Sequence, residues 1–522
     1  MKEISTEKRK RGRPRKNADQ NVSIAASTVK RGRGRPPKAQ TSVQMPINDP
    51  VLKKVDASDL LYKPINVWDN SDFNKNKILS FSEGYKAFMN KAKTEREFIK
   101  ESIALAKEKG YKNLDELNDA KLNPGDKVYR VIKDKLMILS VIGSRPVHEG
   151  TRIVGAHVDA PRFDIKQNPL FESTDMAFFK THYYGGIKKY QWVAIPLALH
   201  GVIVKADGSI VEINIGEDEK DPVFTITDLL PHLSKEQYEK KLNEAFQAEH
   251  MNALIGSEPM PMEDKDDKDR FKRNILNLLH EKYGIIEEDL ISSELELVPA
   301  FKARDVGFDK SMIGAYAQDD RICAYPALMA IFETENPEYT AICYLTDKEE
   351  IGSVGNTGAE SRALENFIAD LCALSAEIPY TDRLVRISLD RSKMLSADVN
   401  AAYDPNYEGT HDKMNAGYLG KGIAIMKFSG SRGKSGASDA NAEYLGEIRR
   451  LFNGHNIPWH ITELGAVDKG GGGTIAMMIA NLGVDVIDVG VPILSMHSPF
   501  EIASKADIYA TFRGYCAFMK LE

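Results

Sequence analysis

Short apolar segments alternate with longer helical patterns from about residue 303 to the C-terminus. Three of the apolar segments read YTAICYLTD, LVRISLD and GVDVIDVGV, and we interpret all three as strands. Strands that alternate with helices along a chain usually form a sheet whose faces are covered by those helices. The C-terminal region is therefore predicted to have an α/β fold.

Helices and strands are also predicted before this region. From Ser82 to Gly110 apolar residues recur at helical spacing, which indicates two helices that end at Gly110. KVYRVIKDKLMILSVIG predicts a hairpin, and TRIVGAHVDAP predicts a short buried strand. Between about 162 and 302 the pattern changes to strands such as WVAIPLALHGVIVKADGSIVEINIG, followed by EPMPMEDKDDKDRFKR, which we interpret as a solvated loop.

The first 50 residues differ from the rest in composition and charge. Residues 1–40 hold 13 Lys and Arg against three acidic residues, a local net charge of +10, whereas the whole chain has a net charge of −6. The remaining residues therefore carry −16, so the body is acidic. A polar segment with few apolar residues cannot bury enough surface to offset its chain entropy. Residues 1–50 are predicted to be a disordered basic tail.

This tail contains two copies of Arg-Gly-Arg-Pro that resemble AT-hooks. The first copy is Arg11, Gly12, Arg13 and Pro14, and the second is Arg33, Gly34, Arg35 and Pro36. Extended Arg-Gly-Arg fits a narrow minor groove, and flanking cations neutralise phosphates. AT-rich DNA is therefore a candidate partner of the tail. The alternatives are a solvated tail without a specific partner, or a targeting segment.

The cysteines and the apolar runs bear on where the protein is located. None of the four cysteines forms a C-x-x-C pair, so neither a zinc ribbon nor a disulfide framework is predicted. A reducing compartment fits this usage best. No apolar run approaches the length of a membrane span, and no signal peptide is recognised. We expect a cytoplasmic protein without a membrane partner, which the tail could bring to a nucleoid or a nucleus.

Acidic residues and histidines occur in five segments where a strand is expected to end. The segments are GAHVDAP, GAYAQDDRICAY, YLTDKEEIGS, LSADVNAAYDPNY and ILSMHSPFEIA. The carboxyl ends of strands are where α/β sheets bind ligands, and histidine with carboxylate groups is the ligand set of zinc, cobalt or manganese. Each segment taken alone is more typical of solvated side chains. Together they predict a metal site.

The order of these segments resembles the co-catalytic metallo-aminopeptidases of family M18, the aspartyl aminopeptidase family. The similarity runs from about residue 55 to 522 and includes SAD at Ser396–Asp398, PNY at Pro405–Tyr407 and MHS at Met496–Ser498. Peptidases of family M42 share the metal scheme but not the SAD and PNY segments. An M42-type di-metal aminopeptidase is the alternative within this class, and a DNA-associated protein is the alternative outside it.

The resemblance implies a set of site residues and a mechanism. It implies two divalent ions, zinc before cobalt or manganese, bridged by Asp319. The remaining ligands would be His157 and Asp398 for one ion, and Glu350 and His497 for the other. Asp320 occupies the position after the bridging carboxylate, where the family has Asn or Asp. Glu349 would be the general base that activates a metal-bridged water, and Asp159 would orient His157. The expected activity is removal of N-terminal residues from peptides, with a preference for acidic residues left open.

The resemblance also implies the domain organisation. The catalytic domain would comprise residues 51–161 and 303–522, with a mixed sheet, and residues 162–302 would be an inserted β-rich dimerisation domain. The family assembles into dodecamers, so self-association is expected. His232 is the candidate for a histidine that reaches a neighbouring active site, and Lys421 is the candidate for binding acidic substrate side chains.

Overall fold

The computed structural model describes residues 56–117, 120–262, 268–375 and 378–521. The predicted tail, with both Arg-Gly-Arg-Pro copies, lies outside the described residues. The chain divides at Tyr62 into two units. The described part of the first unit contains a 3₁₀ turn at Ala57–Leu60, and the second unit, from Lys63 onward, contains all the elements discussed below.

The described residues form 23 strands and 11 α-helices. The strands are β1 Lys112–Asn113, β2 Lys127–Ile132, β3 Leu136–Val141, β4 Thr151–His157, β5 Arg162–Ser173, β6 Met176–Tyr184, β7 Leu197–Val204, β8 Ile210–Ile215, β9 Thr225–Ile226, β10 Ala253–Gly256, β11 Ser293–Pro299, β12 Arg304–Val306, β13 Met312–Ala315, β14 Thr340–Thr346, β15 Lys393–Ala397, β16 Asn400–Ala401, β17 Ile423–Met426, β18 Gly430–Ser431, β19 Trp459–Ile461, β20 Gly471–Gly472, β21 Asp485–Gly490, β22 Pro492–Leu494 and β23 Glu501–Ser504. The helices are α1 Lys75–Met89, α2 Glu95–Glu108, α3 Lys235–Tyr238, α4 Leu242–Ala245, α5 Arg270–Tyr283, α6 Gln318–Phe332, α7 Ala363–Ser375, α8 Asp382–Arg391, α9 Ala442–Gly454, α10 Ala476–Ala480 and α11 Lys505–Met519.

A nine-stranded mixed sheet forms the centre of the main unit, in the order β1-β2-β3-β14-β4-β15-β21-β17-β19. Its four middle strands, β14, β4, β15 and β21, run parallel. Every residue of β14 is buried, and successive residues belong alternately to two separate apolar clusters: Cys343 to one, Tyr344 to the other and Leu345 to the first. Because side chains alternate across a strand, both faces of this sheet are covered.

A second, seven-stranded sheet is built entirely from residues 162–299, in the order β8-β7-β11-β5-β6-β10-β9. All of its pairings are antiparallel. A five-stranded sheet, β12-β13-β23-β22-β16, follows it in the chain and is completed by C-terminal strands. None of the helices in the described ranges is both long enough and apolar enough to cross a membrane.

The mixed α/β fold predicted from the sequence is confirmed, as are the two N-terminal helices, the hairpin of β2 and β3, and the buried strand β4. The strand predicted at LVRISLD is wrong, because this segment lies in helix α8. Its buried residues, Leu384, Val385, Ser388 and Leu389, recur at the spacing of one helix face. The loop predicted to extend to residue 273 is also partly wrong, since α5 begins at Arg270.

Candidate metal centre

The parallel strands of the central sheet carry the predicted residues to one edge. Strand β4 ends at His157, which pairs in register with Thr346 at the end of β14. Strand β15 ends at Ala397, one residue before Asp398. Glu349 and Glu350 begin a 3₁₀ turn just after β14. Three of the five predicted segments therefore meet where parallel strands end, as expected for α/β sheets.

The other two segments approach this edge from the five-stranded sheet. Asp319 and Asp320 lie at the start of α6, with non-helical backbone angles and a cis peptide bond between them. His497 follows β22 and has a left-handed backbone, with φ of 63°. Glu501 on β23 joins the two segments, because its carboxylate accepts hydrogen bonds from the backbone N–H of Asp319 at 3.1 Å and of His497 at 2.6 Å.

Asp319 lies between the two histidines. Its Oδ1 is 3.2 Å from Nε2 of His157, and its Oδ2 is 3.0 Å from Nε2 of His497. Glu350 is beside the second histidine, with Oε1 3.4 Å from Nε2 of His497. Glu349 is on the other side, with Oε2 3.9 Å from Nε2 of His157. Single ligand atoms of His157, Asp319 and Glu350 lie within 4.8 Å of one another.

Asp159 is fully buried and accepts four hydrogen bonds. Oδ1 lies 3.2 Å from Nδ1 of His157 and accepts the backbone N–H of Glu349 at 3.1 Å. Oδ2 accepts the hydroxyl of Tyr184 at 2.8 Å and the backbone N–H of Glu350 at 3.2 Å. Asp159 thus connects the strand end that carries His157 to the turn that carries both glutamates, as a partner that orients a ligand.

The charge of the cluster fits divalent cations. Burial raises the pKa of Glu349 to about 7 and raises those of Glu350 and Asp398 well above their ordinary values, with nearby carboxylates adding to the shifts. Oε1 of Glu350 is buried, and no hydrogen bond reaches it from the residues that the structure describes. Several carboxylates held together away from water are unfavourable unless cations neutralise them. Imidazole nitrogens and carboxylate oxygens are the ligand types of zinc sites.

The structure places the remaining predicted residues as follows. Asp398 is buried, and the charges of Asp320 and Glu349 add to the rise that burial gives its pKa, but the compact ligand group of His157, Asp319 and Glu350 in the described residues does not include it. His232 lies in an exposed 3₁₀ turn at Pro231–Leu233 and has no bond to the cluster within this chain's described residues. Lys421 donates to the carbonyl of Pro64 at 3.3 Å, and within the same residues no ion pair joins it to the cluster.

Three residues of the site were missed by the sequence interpretation. Tyr184 and Gly186 come from the end of β6, where YYGG gives no periodic or motif signal. Glu501 lies in ILSMHSPFEIA, in which the sequence predicts only His497 as a ligand. The available signal was its position between Phe500 and Ile502, since a carboxylate buried among apolar residues needs hydrogen-bond donors.

Comparison with known proteins gives matches over most of the chain. The family model described as aminopeptidase I zinc metalloprotease (M18) matches residues 88–519. The AT hook motif matches residues 8–20 and 30–42. A probable M18 family aminopeptidase 1 from Clostridium acetobutylicum is 50% identical over 465 residues, which cover 88% of this chain and 99% of that protein.

Solved structures match over a similar range. The crystal structure of an M18 family aminopeptidase from Thermotoga maritima has a TM-score of 0.84 and 44% identity, covering 88% of this chain and 100% of that one. The structure of the S. cerevisiae mApe1 dodecamer has a TM-score of 0.68 and 20% identity, covering 85% of this chain and 97% of that one. The second likeness concerns the fold alone.

Proposed function

Because the chain belongs to the M18 family of aminopeptidases and is therefore a hydrolase, we propose that it is a di-metal enzyme with Glu349 as its general base. The observation that carries this proposal is the position of Asp319, whose two oxygens face two different histidines. One carboxylate placed in this way can bridge two ions.

The ligand set is the one that the resemblance to family M18 implies, and the contacts of Asp319 with both histidines support its bridging position. Asp319 would be shared, with His157 and Asp398 completing one site and Glu350 and His497 completing the other. The zinc metalloprotease description of the matching family model favours zinc, and cobalt or manganese would suit the same groups. Bound divalent ions would polarise the scissile carbonyl and lower the pKa of a water.

Glu349 would move the proton. Its carboxylate lies beside the cluster, and Asp319 rather than Glu349 would bridge the two ions. The 3₁₀ turn that begins at Glu349 is held by the hydrogen bond from the N–H of Glu349 to Asp159. Beside two cations Glu349 would be held ionised, as required of a group that accepts a proton from water and then releases it to the leaving amine. The adjacent Glu350 faces His497 instead, so the two glutamates have different roles.

Self-association is part of the proposal. We propose that residues 162–302 are a dimerisation domain inserted in the catalytic domain and that the assembly is a dodecamer, like the S. cerevisiae mApe1 dodecamer. Leu229, Leu230, Leu233 and Tyr238 are each more than half exposed on this segment, and such a group of apolar side chains favours an interface. His232 lies among them, so it would reach a neighbouring subunit. Leu233→Asp should lower the mass in solution, whereas an unchanged mass would remove this segment from the interface.

Lys421 is proposed to bind acidic side chains of the substrate. Its amine would first have to leave the carbonyl of Pro64. Lys421→Ala should then lower kcat/KM for N-terminal Asp and Glu while leaving N-terminal Leu unchanged. Equal losses for all substrates would assign Lys421 a structural role.

We propose a second function for the tail, in which its two AT-hook matches bind the minor groove of AT-rich DNA. Removing residues 1–45 should abolish retention on an AT-rich duplex while leaving peptide hydrolysis intact. Retention of the full chain should weaken as salt rises. Equal retention on a GC-rich duplex would show that the tail binds DNA only through its positive charge, without sequence preference. This function would place the cytoplasmic enzyme on a nucleoid or in a nucleus.

The test of the enzymatic proposal is a panel of aminoacyl substrates that differ in the N-terminal residue. We expect release of the first residue only, loss of activity with a chelator, and recovery when zinc, cobalt or manganese is returned. Activity that survives complete removal of divalent ions would overturn the proposal. A profile without any response to acidic residues would exclude a preference for acidic N-terminal residues and leave the aminopeptidase assignment unchanged.

A further inference from the structure

The three residues Tyr184, Gly185 and Gly186 form a turn at the end of β6 that we call the YGG turn. It belongs to the seven-stranded sheet, yet it contacts the metal centre at the edge of the nine-stranded sheet. We propose that the YGG turn is a positioning element that sets the orientation of both histidine ligands. This inference rests on the proposed function, because it assigns roles toward the proposed metal ligands.

The first contact acts on His157. The hydroxyl of Tyr184 donates to Oδ2 of Asp159 at 2.8 Å, and Oδ1 of the same carboxylate lies 3.2 Å from Nδ1 of His157. A carboxylate at Nδ1 keeps the proton on that nitrogen and leaves Nε2 free to bind a metal. Tyr184 therefore acts on His157 indirectly, with Asp159 as the one residue between them.

The second contact acts on His497 directly. Its Nδ1 lies 2.8 Å from the carbonyl oxygen of Gly186. A carbonyl can only accept, so Nδ1 must carry the proton, and Nε2 is again the nitrogen that faces Asp319. The turn thus sets the tautomer of His497 directly. For His157 it holds the carboxylate of Asp159, which faces Nδ1 together with the Asp159 carbonyl oxygen at 3.1 Å.

The two glycine positions of the turn leave little room for a side chain. A Cβ on Gly186 would lie 3.2 Å from Nδ1 of His497, and one on Gly185 would lie 3.1 Å from Oε2 of Glu350. Gly185 also has φ of 73°, in the region that favours glycine. The glycines therefore allow the backbone to approach two of the proposed ligands closely.

The ring of Tyr184 is itself held in place. The guanidinium of Arg162, at the start of β5, lies 3.9 Å from the centre of this ring. Arg162 is buried and is paired with Glu95 at 3.4 Å and with Glu296 at 3.1 Å. The orientation of the hydroxyl is therefore set by elements of the seven-stranded sheet and by α2.

The test uses protein stripped of metal and titrated with Zn²⁺ or Co²⁺, so that affinity is measured without any reaction. Tyr184→Phe removes only the hydroxyl, and Gly186→Ala adds a Cβ that crowds Nδ1 of His497. Tyr183→Phe is the matched control, since the neighbouring tyrosine is partly exposed. The temperature of unfolding of each stripped variant is measured alongside.

We expect Tyr184→Phe to weaken one of two binding steps by about tenfold or more, and Gly186→Ala to weaken the other. The unfolding temperature of stripped Tyr184→Phe should fall by a few degrees at most, as for the loss of one hydrogen bond. Tyr183→Phe should bind as the unaltered protein does. If Tyr184→Phe binds metal in two steps with the same affinities as the unaltered protein, the inference is overturned. If the unaltered protein binds no divalent ion, the proposed function fails first, so the two failures are distinguishable.

Discussion

Replacing Asp159 by Asn removes one of two carboxylate oxygens that each accept two hydrogen bonds. If Oδ2 becomes the amide nitrogen, the bonds from Tyr184 and from the N–H of Glu350 are lost. If Oδ1 becomes the amide nitrogen, the contact with His157 and the bond from the N–H of Glu349 are lost. In both orientations the new amide donor faces a backbone N–H that can only donate.

The structure gives the magnitude of this change. Hydrogen bonds to a charged acceptor contribute about 1.5–3 kcal/mol each, so two lost bonds correspond to about 3–6 kcal/mol in the local structure of the site. Some of this is recovered because the tyrosine hydroxyl can reorient and accept. We expect metal affinity to fall by about 10–100-fold, as for other partners that orient a ligand, and kcat to fall with it.

The assay measures metal affinity and kcat for Asp159→Asn and for Asp175→Asn. Asp175 is exposed in the hairpin between β5 and β6 and has a left-handed backbone that asparagine also adopts, so the same substitution there should change neither quantity. Wild-type metal affinity and kcat in Asp159→Asn would refute the reasoning, because the four hydrogen bonds would then not orient His157.

Three further predictions concern stability. Burial alone would lower the pKa of His200, but hydrogen bonds with Glu217 and Glu97 raise it, so its contribution is fully present below the unfolded pKa of about 6.5 and is lost as pH rises through the folded value. The difference in unfolding temperature between the wild type and His200→Gln should therefore be larger at pH 6 than at pH 9, and a pH-independent difference would contradict this. Gly201→Ala places a Cβ 1.9 Å from the carbonyl oxygen of Glu294 and should lower the free energy of unfolding by about 3 kcal/mol in denaturant titrations, whereas an unchanged midpoint would show that β7 can shift. Adding a chelator should lower the unfolding temperature, because the buried carboxylates lose their counter-charges, and no shift would argue against resident cations.

The sequence was most informative where histidines and acidic residues occur at the ends of predicted strands. A histidine two residues before an aspartate, at the end of the apolar strand β4, predicts that the two side chains share a face, and the structure has His157 and Asp159 in contact. The resemblance to family M18 connected segments as distant as Asp319 and His497, which no local pattern could place together. Their proximity depends on β23, which pairs with β13 on one side and with β22 on the other.

Other features could not be predicted because their cause is tertiary. LVRISLD is as apolar as a strand, and only its buried face distinguishes α8. The contacts of Tyr184 and Gly186 arise because one sheet abuts another, so their roles have no signature in the surrounding sequence. Arg162 and Glu296 are far apart in the chain and pair only because β5 and β11 are adjacent.

The most direct test of the central claim is hydrolysis by Glu349→Gln with bound metal measured in the same sample. The substitution keeps the size of the side chain and the backbone hydrogen bond to Asp159, but glutamine cannot accept the proton of water. The account predicts two bound divalent ions and a fall in kcat of about 10²–10⁴-fold, the usual contribution of a general base. Full activity with both ions bound would contradict it.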